Sequence, residues 1–462
     1  MCGIIGTIGP NTDAASLVYD GLYQLQHRGQ EQAGIAVSDG KEIRGHTADG
    51  YVSGLLKGVD ITSFPGMIGI GHVRYSTAGG SRHENAQPIL RTSIHGQIAI
   101  AHNGNLTNEF ELREKLLSQG AIIQSKSDTE LILHLVARSK QRDPVEAIVD
   151  AIRMIKGAYS LLFLLPHQLI AVRDPYGFRP LVIGRKDEQW FVTSETVALD
   201  IELADYIREV KPGEMVIWEQ GKQPAVRELF KKTRLYQCAF EHVYFARPDS
   251  TVFGDYVNES RFRMGQMLAK ECPANADVVV PVPDSGKDAA DGFAAESGLQ
   301  VRRGIIRNHY VGRSFINPTQ TGRQKSVRYK LNPVRNILQG QRIVLVDDSI
   351  VRGTTSKRIV SMVRRAGAKE VHLRISCPPT IGSCHYGVDT PRSEELIANN
   401  KTQEEIREFI GADSLGYLSV DGLKSALHDQ NNFCYSCYTG HYPLEDDIFR
   451  MKIDRRITPS TS

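Results

Sequence analysis

The sequence predicts two domains in tandem, an α+β domain built on antiparallel sheets followed by an α/β domain with a mostly parallel sheet. Three observations lead there. The chain has 462 residues, more than one hydrophobic core supports. Its first half reads as short apolar strands punctuated by Gly. Its second half alternates strand-like runs with helices, the pattern of βαβ units.

In the first half, strands are expected at residues 2–8, 34–38, 67–73 and 97–102, then at 159–165, 169–173 and 190–193. Two helices are expected among them, near 17–26 and 128–139. Pro212-Gly213 turns the chain into a polar, basic stretch, so the domains are drawn as 2–231 and 232–462. In the second half, strands at 277–280, 342–346 and 371–376 enclose helices near 287–296 and 355–366. Such a sheet places ligands at the carboxyl ends of its strands. Beyond Pro391 the chain reads as short helices, one of them opened by a capping box at Thr402 and Glu405. Residues 455–462 read as a frayed tail.

Composition excludes several classes. Hydrophobic content of 41% and charged content of 24% are those of an ordinary globular protein. A net charge of +3 is too small to draw nucleic acid or a membrane surface, and no apolar run reaches spanning length. The N-terminus shows neither a secretory nor a transit pattern. Seven Cys, an odd number irregularly spaced, do not make a disulfide framework. A reducing, cytoplasmic setting is therefore expected, with thiols free for catalysis or metal.

Cys2 follows the initiator Met. Removing Met1 would leave a Cys bearing its own α-amine, whose pKa near ~8 lets it accept the thiol proton. Two further words look chemical, 72–77 (His-Val-Arg-Tyr-Ser-Thr) and 102–105 (His-Asn-Gly-Asn), each expected at the end of a short apolar strand. Glutamine carries a carboxylate that an Arg fork matches and an ammonium that Asp128 can match. An Asn amide with the next backbone N–H is a donor pair for a tetrahedral oxyanion. Together with Cys2-Gly-Ile-Ile-Gly and 25–31 (Leu-Gln-His-Arg-Gly-Gln-Glu), these words resemble the N-terminal-nucleophile glutamine amidotransferases over the whole first half. The resemblance implies a four-layer α/β/β/α sandwich. It implies Cys2 as nucleophile, Asn103 and Gly104 as oxyanion hole, and Arg74, Thr77 and Asp128 as glutamine ligands.

In the second half, a buried-strand run at 343–346 leads into Asp347-Asp348-Ser349-Ile350-Val351-Arg352-Gly353-Thr354-Thr355. Paired acids at a strand end suit a ribose diol and hydrated Mg²⁺. The Gly- and hydroxyl-rich stretch opening a helix suits a phosphate. The run resembles the phosphoribosyl-pyrophosphate (PRPP) motif of type I phosphoribosyltransferases, and 282–286 (Val-Pro-Asp-Ser-Gly) resembles their pyrophosphate loop. The resemblance makes Asp347, Asp348, Ser349, Arg352, Gly353, Thr354 and Thr355 ligands of PRPP, and sets Ser285 with Asp347 and Asp348 near Mg²⁺. Residues 301–335 contain no Asp or Glu and nine Lys or Arg. With few stacking aromatics, this suits a lid over an anionic substrate better than a nucleic-acid patch. The lid resembles that family's flexible loop and adds Lys325 and Arg328 to the PRPP ligands.

Cys434 and Cys437 form a C-x-x-C, with Cys238 and Cys384 far off in sequence. Four thiolates suit zinc or an iron–sulfur cluster, and spacing leaves the two undecided. The words at 238–250, 383–390 and 433–440 resemble the iron–sulfur class of glutamine PRPP amidotransferases, and the likeness then spans nearly the whole chain. It implies a [4Fe–4S] cluster on Cys238, Cys384, Cys434 and Cys437, structural or regulatory in role. It also implies glutamine and PRPP as substrates, feedback by purine nucleotides and a homotetramer. Cys272 and Cys377 match no ligand position and read as ordinary buried thiols. One departure is that only Met1 precedes the nucleophile, where some members carry a short propeptide. Two rivals are another amidotransferase of this type with a different acceptor domain, and a PRPP-sensing regulator.

Overall fold

The computed structural model describes residues 1–10, 12–75, 83–231, 233–308 and 331–444. The first half contains two antiparallel sheets. The seven-stranded one runs Asp205–Glu209, Val182–Lys186, Gln189–Thr193, Gly3–Ile8, Ile68–Arg74, Gln32–Ser38, Ile43–Asp49. The six-stranded one runs Ala225–Glu228, Glu214–Glu219, Gln168–Arg173, Gly157–Leu165, Gly96–Leu106, Ile89–Ser93.

Side chains alternate across a strand, and here both faces are covered. Ile4 points between the sheets with Leu162, Leu164 and Trp218. Ile5, its neighbour, points outward to Val18 and Leu22 of helix Ala14–Gln24. Leu161 and Phe163 face outward in the other sheet, against helices Asp128–Arg138 and Pro144–Ile152. The result is the four-layer α/β/β/α sandwich. It also explains why these strands read as continuous apolar runs rather than alternating ones.

The expected elements stand, and the structure adds others. Helices Glu109–Ser118 and Pro144–Ile152 were not expected. The first buries only Leu112 and Leu116, too few for a clear helical period. The second carried a legible start signal, Asp143 capping Val145 and Glu146 with Pro at the first turn. The strand expected to stop at 102 continues to Leu106, because pairing with its neighbour persists to Leu106 opposite Gly157. His102, Asn103, Gly104 and Asn105 therefore lie inside a strand, not beyond its end.

The second half holds a five-stranded sheet, parallel throughout, ordered Gln300–Val301, Val278–Pro281, Arg342–Asp347, Glu370–Ile375, Ser414–Tyr417. The last strand is short and was not expected. Its core joins Val279, Val344, Leu345 and Leu373 to helices Val257–Glu271, Lys287–Ser297 and Thr354–Arg365. The capping box at Thr402 and Glu405 is present. The 455–462 tail lies outside the described residues. Among the described residues, no helix is long and apolar enough to cross a membrane.

Candidate functional site

Cys2 directly precedes the central strand Gly3–Ile8 and is buried at 7% exposure. Its backbone N–H donates to Asn103 Oδ1 at 3.2 Å, and its thiol lies 3.7 Å from the Tyr75 carbonyl. The other end of that amide, Asn103 Nδ2, is buried with no hydrogen-bond partner among the described residues. Leaving such a donor unpaired costs about 1–3 kcal/mol. Beside a thiol, a donor held in that state can bind an oxygen that carries negative charge. Gly104 follows it on the same strand.

Arg74 closes its strand, buried, and donates to Gln32 Oε1 at 2.8 Å. Asp128 opens its helix and accepts from the Leu106 N–H at 2.9 Å. His102 Nδ1 lies 3.5 Å from its carboxylate. Burial alone would raise the Asp128 pKa, but His102 and the Leu106 N–H outweigh it and hold the carboxyl below its ordinary range. Thr77 lies outside the described residues. Met1 is buried, and burial lowers the pKa of its amine.

The fold adds residues that no sequence pattern had marked with a role. Arg28 is fully buried, and its Nε donates to the Cys2 carbonyl at 2.9 Å. The rest of its guanidinium reaches Glu195 and, at 2.8 and 3.0 Å, the carboxylate of Glu241 on the π-helical turn Glu241–Phe245. Arg179 lies 3.4 Å from the same Glu241. Arg28 and Glu241 both sit within the words noted above, but 213 residues separate them and hide the pairing.

Glu241→Ala should leave Arg28 with Glu195 alone and deprive the buried Arg179 of its carboxylate, at a cost of about 3–5 kcal/mol. The expected result is a lower unfolding midpoint in urea at neutral pH; an unchanged midpoint would refute it. Burial pushes the Glu241 pKa up, but Arg28 and Arg179 prevail and depress it. Its contribution is therefore present above the ordinary Glu value near ~4.3 and fades as pH falls through the depressed one.

At the second site, Asp347 ends strand Arg342–Asp347, and both it and Asp348 are buried. The Asp348 N–H donates to Asp347 Oδ1 at 3.0 Å, and the Ser349 hydroxyl donates to Asp348. Burial, then the adjacent Asp348 charge, pushes the Asp347 pKa well up. Gly353 takes a left-handed φ of 73° and caps helix Thr354–Arg365. Thr354 and Thr355 thus occupy its first turn, where backbone N–H groups lack helical acceptors. Arg352 is exposed and pairs with Glu395 at 2.7 Å. The turn bearing Ser285 lies beside Asp347, since the Val282 N–H donates to the Val346 carbonyl at 2.8 Å. Lys325 and Arg328 lie outside the described residues.

Cys238 and Cys434 stand opposite each other where Gln237–Cys238 pairs with Phe433–Cys434. Burial raises the Cys437 thiol pKa well above its ordinary value, and Cys238, Cys384 and Cys434 add to the rise. Cys434 is pushed up to about 12, by burial first. Among the described residues, no group of three or more His, Cys, Asp or Glu is set to hold a single metal ion. Cys377 is buried as expected; Cys272 is only half-buried.

Residues 72–200 match a family model described as glutamine amidotransferase domain. The chain is 51% identical to amidophosphoribosyltransferase 1, chloroplastic, of Arabidopsis thaliana, over 98% of this chain and 80% of the relative. It is 49% identical to the amidophosphoribosyltransferase of Methanocaldococcus jannaschii, over 96% of this chain and 98% of the relative. The solved glutamine PRPP amidotransferase of B. subtilis, complexed with ADP and GMP, superposes with a TM-score of 0.90 at 44% identity, covering 96% of this chain and 97% of that one. Likeness at this level in both halves leaves no place for a different acceptor domain or a non-enzymatic sensor, and the chain belongs to the amidophosphoribosyltransferases, the enzymes of the first step of purine biosynthesis.

Proposed function

We propose that the chain converts glutamine, PRPP and water to glutamate, 5-phosphoribosylamine and pyrophosphate with the residues described above. Removal of Met1 gives Cys2 a free α-amine that takes the thiol proton. The thiolate attacks the glutamine amide carbon. Asn103 Nδ2 and the Gly104 N–H bind the oxygen that turns negative, the C–N bond breaks, and ammonia leaves a thioester that water hydrolyses. Arg74, Thr77 and Asp128 bind the glutamine carboxylate and ammonium. At the second site ammonia attacks C1 of the ribose as the bond to pyrophosphate breaks. Asp347 and Asp348 hold the ribose diol, and Ser349, Arg352, Gly353, Thr354 and Thr355 hold the 5-phosphate. Lys325 and Arg328 join the PRPP ligands, and Ser285 belongs to the pyrophosphate loop.

The observation that carries the first half-reaction is the unpaired Asn103 Nδ2 beside Cys2. Asn103→Ala should lower the glutaminase kcat about 10²–10³-fold with KM little changed, as loss of an oxyanion donor does. An unchanged kcat refutes the assignment. A glutaminase activity stimulated by PRPP tests the coupling of the two sites.

Two inorganic groups are part of the proposal. Paired buried acids, one with its pKa raised by burial and then by the other's charge, fit a divalent cation, and Mg²⁺ held by Asp347, Asp348 and Ser285 would neutralise the leaving pyrophosphate. Four half-buried thiols from three segments, three of them (Cys384, Cys434 and Cys437) with pKa raised by burial first and by neighbouring thiols next, fit a multi-iron centre. A [4Fe–4S] cluster on Cys238, Cys384, Cys434 and Cys437 would pin those segments together. Anaerobically purified protein should be brown, with about four iron and four sulfide per chain. Cys437→Ser should cost stability more than chemistry at Cys2. A colourless, active zinc protein would overturn the cluster alone. Feedback by purine nucleotides is proposed because the B. subtilis relative was solved with ADP and GMP. A homotetramer, by resemblance, is checked by mass in solution. A cytoplasmic location is proposed from the free cysteines.

A further inference from the structure

The strand that carries Asn103 and Gly104 meets a loop of the other half of the molecule. Asn105 Nδ2 donates to the His385 carbonyl at 3.0 Å, across 280 residues of chain. Gly387, at φ 101°, lies backbone to backbone on Gly104. A Cβ there would be 3.0 Å from both Gly104 Cα and Gly104 C, and 3.2 Å from its carbonyl oxygen. Between these contacts Tyr386, buried, stacks on Phe178 of the first half with ring centroids 4.2 Å apart. The loop is fixed from behind. The Tyr386 N–H donates to Cys384 Sγ at 3.3 Å, and the Cys384 N–H donates to Thr390 Oγ1 at 2.6 Å. The Tyr442 hydroxyl donates to the Ser383 carbonyl at 2.6 Å.

We propose that His385 and Gly387 are positioning residues for glutamine deamidation, holding the Asn105 side chain and the Gly104 peptide so that the oxyanion hole of the first half is completed by a loop of the second. This rests on the reading of Asn103 and Gly104 as oxyanion donors. An oxyanion donor acts only within about 2.7–3.1 Å of the developing charge, so a small displacement of Gly104 weakens it. That oxygen is negative only in the transition state and intermediate. Displacement therefore lowers kcat and leaves glutamine binding alone. Gly is required at 387 on two counts, the positive φ and the backbone contact.

The test uses the full-length enzyme with its metals bound and PRPP saturating. For Gly387→Ala the glutaminase kcat should fall about tenfold or more with KM essentially unchanged, in the manner of a weakened oxyanion donor. Synthesis from ammonia should be retained. An aldehyde analogue of glutamine, whose adduct with Cys2 places an oxygen in the same hole, should lose affinity by the same factor, while glutamate binds as before. Should Gly387→Ala not fold, Asn105→Ala decides. It removes only the half-buried amide that reaches His385, and should lower kcat several-fold in the same pattern. Asn103→Ala separates the two ideas: if it leaves kcat intact, the oxyanion reading itself fails. If Asn103→Ala lowers kcat but folded Gly387→Ala and Asn105→Ala keep it, the positioning role is overturned. A rise in KM alone, or equal loss of both activities, overturns it as well.

Discussion

Replacing Cys2 by Ala is expected to abolish synthesis of 5-phosphoribosylamine from glutamine and to leave synthesis from ammonia largely intact. The loss should be on the order of 10⁴-fold or more, the range in which removal of a covalent nucleophile falls. The reason is architectural. Cys2 precedes a strand of the seven-stranded sheet, and Asp347 ends a strand of the separate parallel sheet. The contacts of Cys2 with Asn103 and Arg28 go through its backbone, so Ala keeps them. Only the Sγ atom is lost. Both activities are measured on the same purified variant, with its melting curve. If ammonia-dependent synthesis falls as far as glutamine-dependent synthesis in a folded variant, the division of labour is wrong.

Asp347→Asn should remove both activities, each by about 10²-fold or more, because the proposed PRPP site serves the reaction with either nitrogen source. The same substitution should not lower the stability of the ligand-free protein. Burial and the Asp348 charge raise the Asp347 pKa in the folded state. A raised carboxyl pKa contributes stability below the unfolded value near ~3.9, and that contribution is lost as pH rises through the folded value. At neutral pH, above the unfolded value, the raised pKa is therefore a cost. Asn removes it, and its Oδ1 still accepts the Asp348 N–H. The expected melting temperature at neutral pH is equal to or above that of the parent, with activity gone. Turnover of PRPP near the parent rate would place the site elsewhere. A clear drop in melting temperature would mean the acid pair is structural.

Much of this was legible before any fold was known. The buried strands announce themselves as apolar runs because both sheet faces are covered. Cys2, the Asn103-Gly104 step and the acid pair before a Gly- and hydroxyl-rich turn are local features. A strand end, a short side chain and a helix start place their chemistry within a few residues of chain. Arg74 and Asp128 were likewise expected at the glutamine site, though their partners Gln32 and His102 were not.

What escaped was set over long sequence distances. The strand carrying Asn103 extends to Leu106 because a neighbouring strand keeps pairing with it, not because its polar residues favour extension. Helix Glu109–Ser118 is amphipathic too weakly to read. The sequence by itself determined the two sheet architectures, through residue period, and showed a Cys at position 2 and an acid pair at a strand end, through near neighbours. Only the tertiary structure decided that Arg28 holds the Cys2 carbonyl while paired with Glu241, and that Gly387 rests on Gly104. The Arg28–Glu241 and Gly387–Gly104 contacts join segments from opposite halves of the chain, which no local pattern of residues can bring together.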